Sequence, residues 1–212
     1  MNIRLPIQIV LASKSPRRVD LLTQLLDHQF GEGVVTFAID PPNIDETALT
    51  GETPIAHVQR LAVAKSHAVA ARYNNAVVII AADTTVDLDG KIFGQPADGN
   101  EARSMLSELS SRTHHVHTAV AVVHLANDGT MLSQAHGLDS AGVSMTEITP
   151  EKMEWYLATG ESMGKAGSYA VQGDGGALVE RVEGSLTTVI GLPLDLLSDL
   201  LVQVDCGWKN EA

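Results

Sequence analysis

The apolar run Ala76–Val86 constrains the fold of this chain more than any other segment. A continuous run of this kind, ending in polar residues, is typical of a buried central strand rather than of a strand with one face in water. The patterns around it alternate between strand and helix without strict order. We therefore predict an α/β protein with a mixed rather than purely parallel sheet.

Periodicity and turn signals place the other elements around this run. The predicted strands are Ile7–Leu11, Val34–Ile39, Ala76–Val86, Lys91–Phe93, Val116–Leu125, Met131–Met145, Val179–Val182 and Thr187–Ile190. The predicted helices include the pattern Val19–Leu26 after Pro16, a helix opened by Thr53-Pro54 that runs to Tyr73, and Asn100–Leu109, Pro150–Thr159 and Pro193–Val204. No shift in composition marks a linker, so we expect one domain over residues 1–212, with two lobes around a cleft.

The charge balance limits the partners of this chain. It has 26 acidic residues against 14 lysines and arginines, a formal net charge of -12. Such a surface repels duplex nucleic acid and anionic membranes, and we expect neither as a partner. No run approaches the ~20 apolar residues of a membrane helix. With no signal-peptide pattern and one cysteine, Cys206, we expect a cytoplasmic protein.

The segment 12–18 (ASKSPRR) joins the first predicted strand to the first helix. It presents hydroxyls, backbone N–H groups and two guanidinium groups, those of Arg17 and Arg18, at a helix start. Helix N-termini favour anions, and arginines there are unfavourable until an anion arrives. The segment therefore predicts a site for a phosphate-rich ligand.

Asp83 follows the apolar part of the predicted central strand. Strand ends open onto the cleft in open α/β sheets, and a carboxylate there can bind a divalent metal or act as a general base toward water. A turn or capping role is the alternative, because Asp87 and Asp89 follow closely.

Three further segments carry weaker signals. Lys65 lies in a predicted helix, where a lysine is most often solvated. Asp45 and Glu46 follow a Pro-Pro loop and offer metal-binding oxygens, although an acidic loop in so acidic a chain is more often only solvated. The glycine-rich segment 164–176 (GKAGSYAVQGDGG) allows close backbone approach to a ligand, and Gln172 has the amide to read a base edge; an ordinary surface loop is the alternative.

His114, His115 and His117 suggest a metal cluster, which we discount. His115 and His117 would share one face of a strand, but the sequence identifies no third ligand.

Taken together, these segments resemble the Maf family of nucleotide pyrophosphatases, from about Ile9 to Leu197. The resemblance is carried by motifs in the family's order: 12–18 (ASKSPRR), 82–84 (ADT), 93–96 (FGQP), Thr113-His114 to Thr118, 164–169 (GKAGSY) and 191–194 (GLPL). Each motif is modest alone, whereas their common order and spacing identify the family.

The resemblance implies hydrolysis of a nucleoside triphosphate to the monophosphate and pyrophosphate, with a divalent cation such as Mg²⁺, Mn²⁺ or Co²⁺. It implies the elongated mixed α/β fold of the inosine triphosphate pyrophosphatases and, in many members, a homodimer. By this resemblance Asp83 would accept the proton of the attacking water. Asp83 and Glu46, whose carboxylates the residue pattern already offers to a metal, are the candidate ligands of the divalent cation. The implied phosphate ligands are Ser13, Arg18, Lys65 and Lys165.

Base preference is implied for Arg17, Thr84 and Gln172, and these residue types resemble the branch that acts on dTTP and UTP. Two positions depart from the family. Gln95 replaces a lysine, which removes a positive charge expected near the phosphates, and Gly164 replaces an aspartate. Two alternatives therefore stay open: a pyrophosphatase for modified nucleotides such as 7-methyl-GTP, and a nucleotide-binding regulatory protein with weak turnover.

Overall fold

The computed structural model describes residues 7–209, and within them a seven-stranded mixed sheet is flanked by helices. The strands are β1 (Gln8–Leu11), β2 (Phe37–Ile39), β3 (Val77–Leu88), β4 (Lys91–Phe93), β5 (Thr113–Leu125), β6 (Met131–Met145) and β7 (Val179–Glu183). The helices are α1 (Pro16–Phe30), α2 (Pro54–Ala70), α3 (Gly99–Leu109), α4 (Pro150–Ala158), α5 (Leu186–Ile190) and α6 (Leu194–Gln203). The predicted α/β class and mixed sheet are confirmed.

β3 is the central strand, as the apolar run predicts, and its residues are almost all buried. The strand order is β2-β1-β3-β5-β6-β7, with β4 also paired to β3. β1 runs parallel to β2 and β3, whereas β4 and β5 run antiparallel to β3. Parallel pairing at one end and antiparallel pairing along the rest make the sheet mixed.

The two edges of β3 are paired unequally. β5 pairs with β3 from Val77 to Asp87. On the other edge, β1 pairs only with residues 77–80 and β4 only with residues 86–88. Within residues 7–209, no strand pairs with positions 81–85 on this edge, so the sheet has a gap at its centre.

Apolar cores lie on either side of this gap. Around β1 and the first half of β3, α1 and α6 cover one face of the sheet and α2 covers the other. Beyond the gap, a second core joins the end of β3 to β4, α3 and α4, with Tyr156 fully buried in it. These cores form the two predicted lobes.

Two details of the sequence prediction are wrong. Thr187–Ile190 is not a strand but most of the short helix α5, which ends at Gly191 with a φ of 122°. Its β-branched residues favour a strand, but the polar contacts of this helix with the sheet override that local preference. Asp83 also does not stand at a strand end, because pairing with β5 and β4 carries β3 on to Leu88.

No helix among the described residues is long and apolar enough to cross a membrane.

The central position of β3 predicts a large cost for truncating its core side chains. We expect Ile80→Ala, at a fully buried position, to lower the free energy of unfolding by about 2–5 kcal/mol, because it leaves a cavity. Denaturant unfolding measures the change. Leu132→Ala is the control: this side chain is 60% exposed, and its truncation should cost no more than about 0.5 kcal/mol. Equal costs for the two variants would contradict the assignment of β3 as the core strand.

Candidate active site

A cleft of about 910 Å³ lies at the gap beside β3, between the N-terminal turn of α1, the 41–46 loop and the 164–172 segment. It brings together all the residues that the sequence predicts as site residues, although they come from separate parts of the chain. They are Ser13, Arg17, Arg18, Glu46, Lys65, Asp83, Thr84, Lys165 and Gln172.

Arg18 is fixed by the protein itself. Its Nε donates to the Gly191 carbonyl at 2.8 Å, and its Nη2 donates to Thr84 Oγ1 at 3.0 Å. Its Nη1 lies 3.4 Å from Ser13 Oγ. Gly191 allows this approach, because a Cβ there would lie 3.3 Å from Thr84 Oγ1. Burial lowers the pKa of Arg18, and Asp83 opposes this effect.

The hydroxyl of Thr84 belongs to a chain of hydrogen bonds that continues across the sheet. Thr84 Oγ1 lies 2.9 Å from Thr118 Oγ1 on β5, and Thr118 donates to the Thr188 carbonyl at 2.8 Å. Thr188 in turn donates to Asp139 on β6. The chain orients Thr84 toward Arg18, so Thr84 acts in this structure as a support for the guanidinium.

Arg17 differs from its neighbour. It lines the cleft and is half-buried, yet among residues 7–209 it has no hydrogen bond or ion pair. Its positive charge lowers the pKa of Lys165, after the larger effect of burial, and both residues line the cleft. One arginine of the pair is therefore held in place and the other is available to a ligand.

Asp83 and Lys65 form a buried ion pair beside these arginines. Lys65 Nζ lies 2.6 Å from Asp83 Oδ1, and both side chains are less than a tenth exposed. Burial raises the pKa of Asp83 above its usual value, while Lys65 and then Arg18 oppose the rise. The carboxylate is thus a stronger base than an exposed aspartate, with two cations that favour its ionised form.

Glu46 completes this cluster from the loop before α2. Its Oε2 lies 2.9 Å from the same Lys65 ammonium, and its side chain is 52% exposed. Two carboxylates, those of Asp83 and Glu46, therefore contact the same Lys65 ammonium. Among the described residues, no group of three His, Cys, Asp or Glu side chains is arranged to hold a metal ion. A divalent cation here would need further oxygens, which is the normal situation for Mg²⁺ bound with substrate phosphates.

A second ion-pair cluster, which the sequence reasoning missed, fastens the Glu46 loop to α2. Arg60 contacts both carboxylate oxygens of Glu52 at 2.6 and 2.8 Å, and its Nη2 donates to the Thr47 carbonyl at 3.1 Å. His57 Nδ1 also lies 2.9 Å from Glu52. The bond from Arg60 is the main cause that holds the pKa of Glu52 far below its usual range. The only sequence signal was the placement of His57 and Arg60 on one helix face.

The predicted histidine group divides between the two faces of the sheet. His114 is buried, and its Nε2 lies 2.7 Å from the hydroxyl of Tyr169; burial lowers its pKa to about 4. His115 and His117 stack with ring centroids 6.0 Å apart. His117 also contacts Asp87 and Ser140. These contacts give His114 an anchoring role toward the 164–176 segment.

Comparison with known proteins gives a consistent result. The sequence model of the family described as Maf-like protein matches residues 8–204. A protein of Myxococcus xanthus named dTTP/UTP pyrophosphatase is 44% identical over 186 residues, which cover 88% of this chain and 87% of the relative. A protein of the same name from Methylobacillus flagellatus is 43% identical over 201 residues, covering 94% and 93%.

Two solved structures resemble this chain distantly. A nucleoside-triphosphatase (dITP/XTP pyrophosphatase) from Mycobacterium abscessus aligns with a TM-score of 0.38 and 16% identity, over 66% of this chain and 74% of that one. The Ham1 protein of Staphylococcus aureus aligns with a TM-score of 0.40 and 16% identity, over 65% and 71%. At these scores the likeness carries no argument about the site.

The ion pair between Lys65 and Asp83 predicts a measurable electrostatic coupling. We expect Lys65→Met to raise the pKa of Asp83 further, because the variant removes the nearest positive charge and leaves the burial in place. Titration of the carboxyl ¹³C chemical shift of Asp83 measures it. Lys91→Met is the control, since that ammonium pairs with Glu108 on the surface. An unchanged Asp83 pKa in Lys65→Met would contradict the assigned pair.

Proposed function

The chain belongs to the Maf-like protein family, and from this premise we propose that it hydrolyses dTTP and UTP to the nucleoside monophosphate and pyrophosphate. It is an enzyme, a nucleotide pyrophosphatase that acts on an acid anhydride. The observation that carries the proposal is the buried Asp83–Lys65 pair at the gap of the sheet, with Arg17, Arg18 and Lys165 around it.

Asp83 is the proton acceptor in the proposed mechanism. Water adds across the bond that joins the α- and β-phosphates, one proton of the water passes to the Asp83 carboxylate, and pyrophosphate leaves. Because burial raises the pKa of Asp83, it accepts this proton more readily than a surface aspartate does. Lys65 holds the carboxylate in one orientation through the 2.6 Å contact.

Positive charge supplies the rest of the catalysis. Cleavage builds negative charge on the leaving pyrophosphate, and cations fixed before the reaction stabilise it without reorganisation. Arg18 is held by Gly191 and Thr84, which makes it such a fixed cation. We assign Ser13, Arg18, Lys65 and Lys165 to the phosphates.

Asp83 and Glu46 fit a divalent cation that arrives with the triphosphate, since both carboxylates already converge on the Lys65 ammonium. A bound Mg²⁺, Mn²⁺ or Co²⁺ would neutralise charge on the phosphate oxygens. The arginine–glutamate cluster of Arg60 and Glu52 keeps Glu46 within reach by fastening its loop.

We assign base preference to Arg17 and Gln172, which line the cleft and whose side chains have no hydrogen-bond partner among residues 7–209. Thr84 contributes through Arg18, because its hydroxyl contacts Arg18 and Thr118. The names of the relatives support pyrimidine triphosphates as the substrates.

The first test is Asp83→Asn. We expect it to lower pyrophosphate release from dTTP and UTP by about 10²–10⁴-fold, because the amide cannot accept the proton. Asp128→Asn, which lies in an exposed turn, is the control and should retain full activity. Turnover of Asp83→Asn near that of the wild type would remove Asp83 from the mechanism.

The wild-type protein itself decides between the alternative functions. If it binds nucleotides without releasing pyrophosphate, the regulatory alternative is favoured. If it prefers 7-methyl-GTP over dTTP and UTP, the modified-nucleotide alternative is favoured.

The second test is Gln95→Lys. Gln95 is exposed at the rim of the cleft, where its relatives are expected to carry a lysine. We expect the new ammonium to lower KM or raise kcat for dTTP, because it adds a positive charge beside the polyphosphate. Gln203→Lys, on the exposed face of α6 outside the cleft, adds the same charge and should change neither constant. If Gln95→Lys also leaves KM and kcat for dTTP unchanged, Gln95 does not lie beside the bound polyphosphate.

A further inference from the structure

The 164–176 segment carries two of the assigned ligand residues without a long regular element to hold them. Lys165 precedes one short 3₁₀ turn, Ala166–Ser168, and Gln172 precedes another, Gly173–Leu178. Neither residue caps its turn through its side chain. The distance between the phosphate-facing lysine and the base-facing glutamine must therefore be set by contacts from outside the two turns.

Glu161, just after α4, supplies contacts to both ends of the segment. Its carbonyl accepts a hydrogen bond from the Lys165 ammonium. Its carboxylate Oε2 accepts from the backbone N–H of Gly175 at 2.7 Å. Glu161 is thus bonded directly to Lys165 and to the turn that begins beside Gln172.

The backbone beside Gln172 is folded closely around this carboxylate. A Cβ at Gly173 would lie 2.2 Å from Glu161 Oε1, and the φ of Gly173 is 77°. The positive φ favours glycine at this position, and the short distance places the Glu161 carboxylate against the backbone that follows Gln172. No larger residue at 173 would fit without moving either Glu161 or the turn.

The other anchors of the segment hold its middle. Tyr169 contacts His114 on β5 at 2.7 Å, and the N–H of Gly167 donates to the Gly94 carbonyl at 3.1 Å. These contacts fix the segment to the sheet but touch neither Lys165 nor the turn after Gln172. Among the described residues, only Glu161 bonds to both.

We propose that Glu161 is a positioning residue that sets the separation of Lys165 from Gln172 and so couples base selection to polyphosphate binding. The inference rests on the proposed function, because it assigns Lys165 to phosphate and Gln172 to the base. The charge of Glu161 supports it, since this carboxylate raises the pKa of Lys165 against the lowering effects of burial and Arg17.

The experiment compares Glu161→Ala with Glu161→Gln. We expect Glu161→Ala to reduce the ratio of kcat/KM for dTTP over dCTP by about tenfold, because the Gly175 N–H loses its acceptor and the turn at Gln172 moves. The KM for dTTP should rise more than kcat falls. Glu161→Gln keeps an oxygen for Gly175 and should stay within about threefold of the wild-type ratio. Asp174→Ala, which removes an exposed carboxylate from the same segment, should leave the ratio unchanged.

A purely structural role for Glu161 predicts a different outcome. In that case Glu161→Ala would lower Tm and the activity toward both nucleotides alike, with the ratio unchanged, and the inference would be overturned. Equal losses of the ratio in Glu161→Ala and Glu161→Gln would also overturn it.

A double variant tests whether Glu161 acts through Gln172. Glu161→Ala/Gln172→Ala should discriminate between dTTP and dCTP no worse than Gln172→Ala alone, because the two residues act on one contact. Additive losses of the ratio would contradict this.

Failure of the proposed function would be visible separately. If the wild-type protein releases no pyrophosphate from any nucleotide, the proposed function is wrong. The role of Glu161 is then decided by calorimetric binding of the non-hydrolysable α,β-imido analogues of dTTP and dCTP. Loss of the binding preference in Glu161→Ala but not in Glu161→Gln supports the inference, and the same preference in all three proteins rejects it.

Discussion

Unequal pairing of the two edges of β3 is the constraint on which the rest of this structure depends. β5 pairs with nearly all of β3, and the strand stays buried past its middle. β1 and β4 pair only with its two ends on the other edge and leave positions 81–85 without a strand neighbour. A ligand can therefore reach the centre of the sheet instead of only its rim. Asp83 gains burial from this position without losing access to the cleft.

The cleft carries a net positive charge, whereas the chain as a whole is acidic. Five lysines and arginines line it against three carboxylates, Asp45, Glu46 and Asp83, although the chain has a net charge of -12. Positive groups packed this closely repel one another, and the carboxylates only partly offset them. A polyanionic ligand relieves the remaining repulsion, while the acidic surface outside the cleft disfavours large polyanions such as duplex nucleic acid. The positions of these few lysines and arginines therefore make the cleft favour a small phosphate-rich molecule.

Local sequence signals predicted the elements better than the contacts between them. Turn residues predicted the bounds of β4 and β6 and the start of α2 at Pro54. The nine residues that the sequence predicts as site residues all line one cleft. Thr187–Ile190 was wrong because its β-branched composition conceals a helix fixed by Gly191 and Thr118. The Glu52–Arg60 cluster and the role of Glu161 depend on loop geometry, which no periodic pattern encodes. The single domain over residues 1–212, the homodimer and the cytoplasmic location stay predictions.

The alternation of side chains along β3 explains how one short motif serves two tasks. Neighbouring residues of a strand point to opposite faces, so Asp83 turns toward α2 and Lys65 while Thr84 turns toward Arg18. The proposed general base and the residue that supports Arg18 are thereby adjacent in sequence while their side chains take different partners. A shift of β3 by one residue in one direction would place the Asp83 carboxylate against the Arg18 network, and a shift in the other direction would place the Thr84 hydroxyl beside Lys65. The long ladder with β5 fixes this register, which makes the pairing on the far side of β3 as much a part of the active site as the cations that face the substrate.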